Sequence, residues 1–461
     1  MITQATPVGR PWSKLAPMRT VALFCLAAGA CTASASEVEP PADQLFFPTG
    51  MATTGTELFV ASANSELRYD SGTLDVFDLD KIDQIVLAWD SAKTIPSAID
   101  PDHTCTQDPD HIETLVCDET YFLKAGAGAR IGNFATDIAV QDMGGGNSRL
   151  IVPTRGDPSI AWVDWNGSTL SCNANQEGFQ LCDDAHRLTY VTTDPNLVNI
   201  PDEPFTAFAD SAGQFAIVTH LTSGAVTLID SPRGGNASIT DVASEVFLPD
   251  PLTGLRGATG VAGRRPDVAG DTIYVGSRSE DRIQTFTVGH PVNNAPPFLL
   301  TGNWFFLNAV GANSGGSSDT RALQFSADGD RMYLINRNPA TLQIYDTSLG
   351  DTGFPRNELT GATDICRQGS TLAVMDSGDG DRAYISCFAE GTVYVVDPRG
   401  LSVVENIVQT GRGPFAVSGA AQHKKLFVTN FLEDTVAVID TTPGAATQNR
   451  VILRIGVSKA P

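Results

Sequence analysis

One short unit recurs seven times along this chain, and few architectures accommodate such a pattern. Its clearest copy is KKLFVTNFLEDTVAVIDT, Lys424–Thr441: an apolar run, a small polar residue, a turn, and a second apolar run ending in Asp. The first halves are LFVAS (Leu58–Ser62), LIVPT (Leu150–Thr154), AIVTH (Ala216–His220), IYVGS (Ile273–Ser277), MYLIN (Met332–Asn336), AYISC (Ala383–Cys387) and LFVTN (Leu426–Asn430). The second halves run from TLDVFD (Thr73–Asp78) to TVAVID (Thr435–Asp440). In the last five units the two halves keep one offset. Short runs of β-branched and aromatic residues, bounded by Gly, Asn, Asp and Ser, read as hairpins. Both alternating faces are apolar: Val436 and Val438 point one way, Ala437 and Ile439 the other. Such strands must be covered on both sides.

Each unit also has an upstream apolar stretch, such as PFAVSGA (Pro414–Ala420), and a downstream one, such as RVILRIG (Arg450–Gly456). Four antiparallel strands per unit, repeated seven times and buried on both faces, predict an all-β protein: a β-propeller of seven four-stranded blades, each packed between two neighbours. The pattern resembles the YVTN-type β-propeller repeat, most closely over Ala383–Gly456. The resemblance implies a seven-bladed propeller in an exported or cell-surface setting. It implies no single activity, because propellers host enzymes and binding modules alike.

The chain divides into a leader (1–35), a flexible tether (36–44) and the propeller (45–461). Arg19 precedes an apolar run, Val21–Ala30, too short to span a bilayer. Leu26–Cys31 resembles a bacterial lipobox with Cys31 as the lipidated residue; cleavage after Ala33-Ser34-Ala35 is the alternative, and Met18 could be the true start. The setting expected is therefore the bacterial cell envelope, with contact to membrane only through a lipid anchor. Six further cysteines fall in order as Cys105/Cys117, Cys172/Cys182 and Cys366/Cys387, and nearest-neighbour disulfides are the simplest reading for an exported chain. Two long insertions, Asp80–Arg130 and Asn166–Arg187, carry the first two pairs and read as disulfide-stapled decoration.

The net charge of −23 excludes a nucleic-acid footprint. Against that background, residues after the first-half strands stand out. Arg155, His220, Arg278, Arg337 and Asn430 should cluster at one end of the channel, where the arginines could hold a carboxylate or phosphate; local pairing with acids is the plainer alternative. Asp376, Asp379 and Asp381, in DSGDGD, could offer oxygens to calcium, but the preceding unit has SADGDR there, an ordinary turn. The Asp closing six of the seven second halves should accept from backbone N–H groups of the following turn. No G-x-S-x-G elbow, Walker loop or H-E-x-x-H is present. The expected function is a monomeric binding module for an envelope protein or small anionic ligand, with no cofactor beyond that calcium. A propeller-type lactonase or hydrolase and a purely structural envelope component are the alternatives.

Overall fold

The computed structural model describes residues 38–457 except 93–94, 96–99, 103, 174–178, 252, 255, 265–271, 291–294, 308–318 and 400–402. Cys31 and the rest of the leader lie outside the described residues. Seven antiparallel sheets follow one another in chain order. Blade 1 is Pro48–Thr53, Glu57–Ser62, Gly72–Asp78 and Ala129–Ile131. Blade 2 is Ala139–Gly144, Asn147–Thr154, Ser159–Trp165 and the short Leu170–Ser171, with Arg187–Leu188 alongside. Blade 3 is Pro204–Ala209, Phe215–His220, Val226–Asp230 and Ser238–Ala243; blade 4 is Ala258–Gly263, Thr272–Ser277, Arg282–Gly289 and Phe298–Phe306. Blade 5 is Thr320–Phe325, Arg331–Arg337, Ala340–Asp346 and Glu358–Asp364; blade 6 is Gly369–Asp376, Asp381–Cys387, Thr392–Asp397 and Val403–Gln409. Blade 7 is Pro414–Ala420, Lys425–Asn430, Thr435–Asp440 and Arg450–Ile455. Strands a to d run from the channel outward.

The repeated offset has a direct cause. Val218, Val275, Leu334, Ile385 and Val428 pair with Thr227, Gln284, Gln343, Tyr394 and Ala437, always nine residues on, so the turn between strands b and c has one length in all five blades.

A second regularity was not visible in the sequence. In blades 1, 3, 4, 5, 6 and 7 the pairing of strand a with strand b slips just after its first residue. A bulge there frees a carbonyl and re-aims the next side chain toward the channel. The freed carbonyls are taken by the neighbouring blade. Thr49 donates to Ala135 O (2.7 Å), Thr136 to Phe205 O (2.6 Å), Thr219 to Thr259 O (2.7 Å), and Thr259 to Thr320 O. Arg337 Nε donates to Gly369 O (2.7 Å), Ser386 to Phe415 O (2.8 Å), and Thr429 to Thr49 O (3.1 Å). These bonds link all seven blades in a circle. In blades 3, 6 and 7 the donor is the small polar residue of the repeat, Thr219, Ser386 and Thr429.

Blades 1 and 7 meet through the Thr429 to Thr49 O bond of this circle. The first insertion adds a second tie between them. Instead of decorating the rim, it forms the helix Leu79–Ala92 and a hairpin, Cys105–Gln107 with Leu115–Cys117, that crosses to the outer edge of blade 7. Leu115–Cys117 pairs in parallel with Leu453–Ile455. Leu79, Ile82, Ile85 and Trp89 of the helix join Leu115, Phe427 and Leu453 in one buried cluster. That helical spacing was present in the sequence but lay inside a segment read as loop. The second insertion likewise ties blade 1 to blade 2, through Arg130 N to Gln180 O (2.8 Å) and Cys182 N to Arg130 O (2.9 Å). The three disulfides are Cys105–Cys117, Cys172–Cys182 and Cys366–Cys387.

Four of the strand-closing aspartates accept from the backbone as expected: Asp78, Asp346, Asp397 and Asp440. Asp164 instead pairs with the buried Arg149 (2.6 Å), and Asp230 has its acidity weakened by burial.

Candidate ligand site at the channel mouth

Two adjacent positions at the end of strand b do different work. The residue of strand b that pairs with the first of strand a is buried: Ser62, His220, Ser277, Asn336, Cys387 and Asn430. The next residue is Ala63, Arg155, Leu221, Arg278, Arg337, Phe388 and Phe431 in blades 1 to 7, and of these Arg155, Leu221, Arg337 and Phe388 line the channel cavity. The sequence-based set mixed these two registers.

His220 and Asn430 therefore sit in the buried position. His220 places Nε2 2.8 Å from Thr227 Oγ1 and Nδ1 3.2 Å from Asp202 O, and burial pushes its pKa down to about 4, so the ring is neutral at pH 7. Asn430 donates to Thr410 O (3.0 Å) and Thr435 Oγ1 (3.1 Å). Both are held by the fold rather than presented to a ligand.

The arginines do converge. Arg155 and Arg337 line one cavity of about 630 Å³ in the channel, together with Arg321, which sequence reasoning missed. Arg321 occupies the bulge position of blade 5, where the other blades have Thr49, Thr136, Phe205, Thr259, Ser370 and Phe415. Comparing the seven inner strands position by position would have exposed it as the only charge.

Among the described residues two carboxylates pair with three of these guanidiniums. Glu203 pairs with Arg155, and the charge of Arg278 also reaches it. Burial alone would raise the Glu203 pKa, but these cations hold it below its ordinary value. Asp319 lies 3.1 Å from Arg321 Nε and 4.0 Å from Arg337 Nη1. Arg278 is in no ion pair among the described residues. Burial, and then repulsion from Arg321, lower the Arg337 pKa to about 10; Arg321 is lowered by burial and by Arg278 and Arg155. Guanidiniums that depress one another mark positive charge the protein leaves uncompensated. Arg155 Nε and Arg321 Nε are buried without a well-directed acceptor.

The same cavity holds one carboxyl of a different kind. Asp137 opens partly onto the channel yet is walled in by protein; its oxygens accept from Ile138 N (2.9 Å) and Ala207 N (2.9 Å). Burial raises its pKa to about 6 despite those bonds.

The acidic turn of blade 6 is internally bonded. Asp376 accepts from Gly378 N and Gly380 N, Asp379 pairs with Arg382 (3.1 Å), and Asp381 accepts from the Tyr333 hydroxyl (3.0 Å). Among the described residues no group of three or more His, Cys, Asp or Glu is placed to hold a metal ion.

Fold and site together define a seven-bladed β-propeller with a cationic channel mouth on an acidic body. No family model matches the chain, and neither does any curated protein. Solved structures do. A candidate 6-phosphogluconolactonase from Bacteroides fragilis aligns with TM-score 0.54 and 14% identity, over 89% of this chain and 97% of that one. The periplasmic gluconolactonase of Pseudomonas aeruginosa aligns at 0.50 and 13%, over 80% and 87%. Hydrazine synthase from Kuenenia stuttgartiensis aligns at 0.51 and 12%, over 89% and 98%. Identities this low, spread over unrelated activities, define the fold alone.

Proposed function

We propose that this protein is an exported binding module whose channel mouth captures a small anionic ligand. One observation carries the reading: among the described residues Arg155, Arg278, Arg321 and Arg337 meet around Glu203 and Asp319, with Asp137 as the one further carboxyl of the cavity, in a chain of net charge −23. An anion would relieve guanidinium repulsion and take up the donors Arg155 Nε and Arg321 Nε. Three disulfides fit an oxidising, exported compartment. Lipid anchoring at Cys31 belongs to the same proposal, as does a monomeric state. The test is calorimetric titration with succinate and inorganic phosphate at low and high salt. Arg321→Gln is the better variant, because Arg337 also bonds blade 6 through Gly369 O. Arg321-dependent, salt-sensitive binding supports the site; binding unaffected by Arg321→Gln removes it.

A lactonase reading has one feature in its favour besides the fold shared with two gluconolactonase structures. Asp137, with a pKa near 6 in the same cavity, could deprotonate a water for attack on a lactone carbonyl while arginines stabilise the oxyanion. Hydrolysis of glucono-δ-lactone or 6-phosphogluconolactone above background, lost in Asp137→Asn, would move the assignment to enzyme. No acceleration would leave the binding module.

A further inference from the structure

We infer that the ligand is an amphipathic carboxylate, carrying an aryl or alkyl body, rather than a polyol acid. This rests on the reading of the mouth as an anion site and goes beyond it. The position after the buried residue of strand b is arginine in blades 2, 4 and 5 but phenylalanine, Phe388 and Phe431, in blades 6 and 7. The bulge position of blade 7 adds Phe415, which with Phe388 lines the same cavity as Arg155, Arg321 and Arg337. Phe431 ties this wall together: its ring centroid lies 6.1 Å from Phe388, 6.4 Å from Phe415 and 5.4 Å from Phe47 of blade 1. All four rings are partly exposed. On this side Arg68 pairs with Glu66 and lies over the Phe47 ring (5.1 Å), while Arg412 and Arg454 share Glu433, and none of the three lines the cavity.

One arc of the mouth therefore carries the cations, with Phe205 beneath Arg321 (5.9 Å), and the facing arc carries the larger group of aromatic rings beside Ser370 and Thr371. A hydroxylated sugar acid would satisfy the first and could reach Ser370 and Thr371, but it would bring no apolar body to cover the phenyl rings. A carboxylate with an apolar body matches both arcs, and a cavity of about 630 Å³ has room for it. The aromatic rings also gain from burying ligand carbon, which a bare small anion cannot provide.

The experiment is calorimetric titration of the full mature chain with propionate, 3-phenylpropionate and 3-phenylpropan-1-ol. The native protein should bind 3-phenylpropionate about tenfold or more tighter than propionate, and the alcohol weaker than the acid by a similar factor. Phe388→Ala should bring the two acids to within about threefold of each other while propionate affinity holds. Phe388→Leu, which keeps an apolar wall in a loop position, should restore most of the preference and so separates loss of contact from loss of fold. Equal affinity for the two acids, both dependent on Arg321, would overturn the amphipathic ligand and leave the anion site standing. Absence of any Arg321-dependent carboxylate binding would overturn both.

Discussion

A ring whose end blades share no repeat strand should be sensitive to whatever bridges them, and two disulfides allow this to be measured against an internal control. Cys105–Cys117 closes the hairpin on the outer edge of blade 7, with sequence separation 12; Cys172–Cys182 closes the insertion on blade 2, with separation 10. Chain-entropy arguments give these loops nearly the same value, roughly 3 kcal/mol each. If disulfides acted only on loop entropy, Cys105→Ser/Cys117→Ser and Cys172→Ser/Cys182→Ser would shift global stability alike. They differ in what they hold. Leu115–Cys117 pairs with Leu453–Ile455, Gly456 N donates to Cys117 O (2.9 Å) and Thr114 to Val451 O (2.7 Å). Removing the first disulfide should therefore ease opening of strand d of blade 7 in particular. An opening cost lowered by about 3 kcal/mol accelerates exchange roughly a hundredfold. Hydrogen exchange read by mass spectrometry over Arg450–Ile455 should show that acceleration in the Cys105/Cys117 variant and little in the other. Equal protection of those amides in both variants would refute the clasp, and with it the claim that the insertion helps to close the ring.

Asp75 is buried in blade 1, where burial raises its pKa to about 7 against bonds from Thr73 and Ser62. The folded protein holds this proton more tightly than the unfolded chain, so stability is highest below pH 4 on this account and falls as pH rises to 7, by about 4 kcal/mol at most. Asp75→Asn should flatten that slope in denaturant titrations between pH 5 and 8; an unchanged slope counts against the assignment. At the mouth, Asp137 loses its proton as pH rises through about 6, so anion affinity should fall over that interval, and calorimetry on Asp137→Asn should show the dependence removed. For the anchor, Cys31→Ser should shift the protein from the membrane fraction to the soluble one, read by fractionation and blotting; unchanged partitioning would leave ordinary cleavage.

The paired strands were legible because a fixed hairpin length and double-sided burial impose a strict pattern on Leu426–Asn430 and Thr435–Asp440 and their copies. The helix Leu79–Ala92 was not, because a repeat-based reading assigns everything off the period to loop, although Leu79, Ile82, Ile85 and Trp89 carry a helical spacing. The inner-strand bulge left no composition signal: Pro, Ala, Thr and Gly all occupy its first position. Its invisibility is why Arg321 was missed and why His220 was placed one residue out of register.

The repeat itself indicates where a site can be. Seven near-equivalent blades give a mouth that is nearly symmetric, and a small asymmetric ligand cannot be held by a feature present in every blade. The circle of bonds to backbone carbonyls from Thr49 to Thr429, donated by hydroxyls at six links and by Arg337 at the seventh, is such a feature, and its part is cohesion. Recognition has to come from positions where the blades disagree. After strand b they read Ala, Arg, Leu, Arg, Arg, Phe, Phe, and at the bulge Thr, Thr, Phe, Thr, Arg, Ser, Phe. These two positions supply the cations and most of the aromatic wall of the cavity, whereas the buried position beside them varies among Ser, Thr, His, Asn and Cys with every side chain enclosed. Arg337 takes both roles, holding Gly369 O with Nε while it lines the cavity, so blades 5 and 6 meet where cohesion and recognition depend on the same side chain.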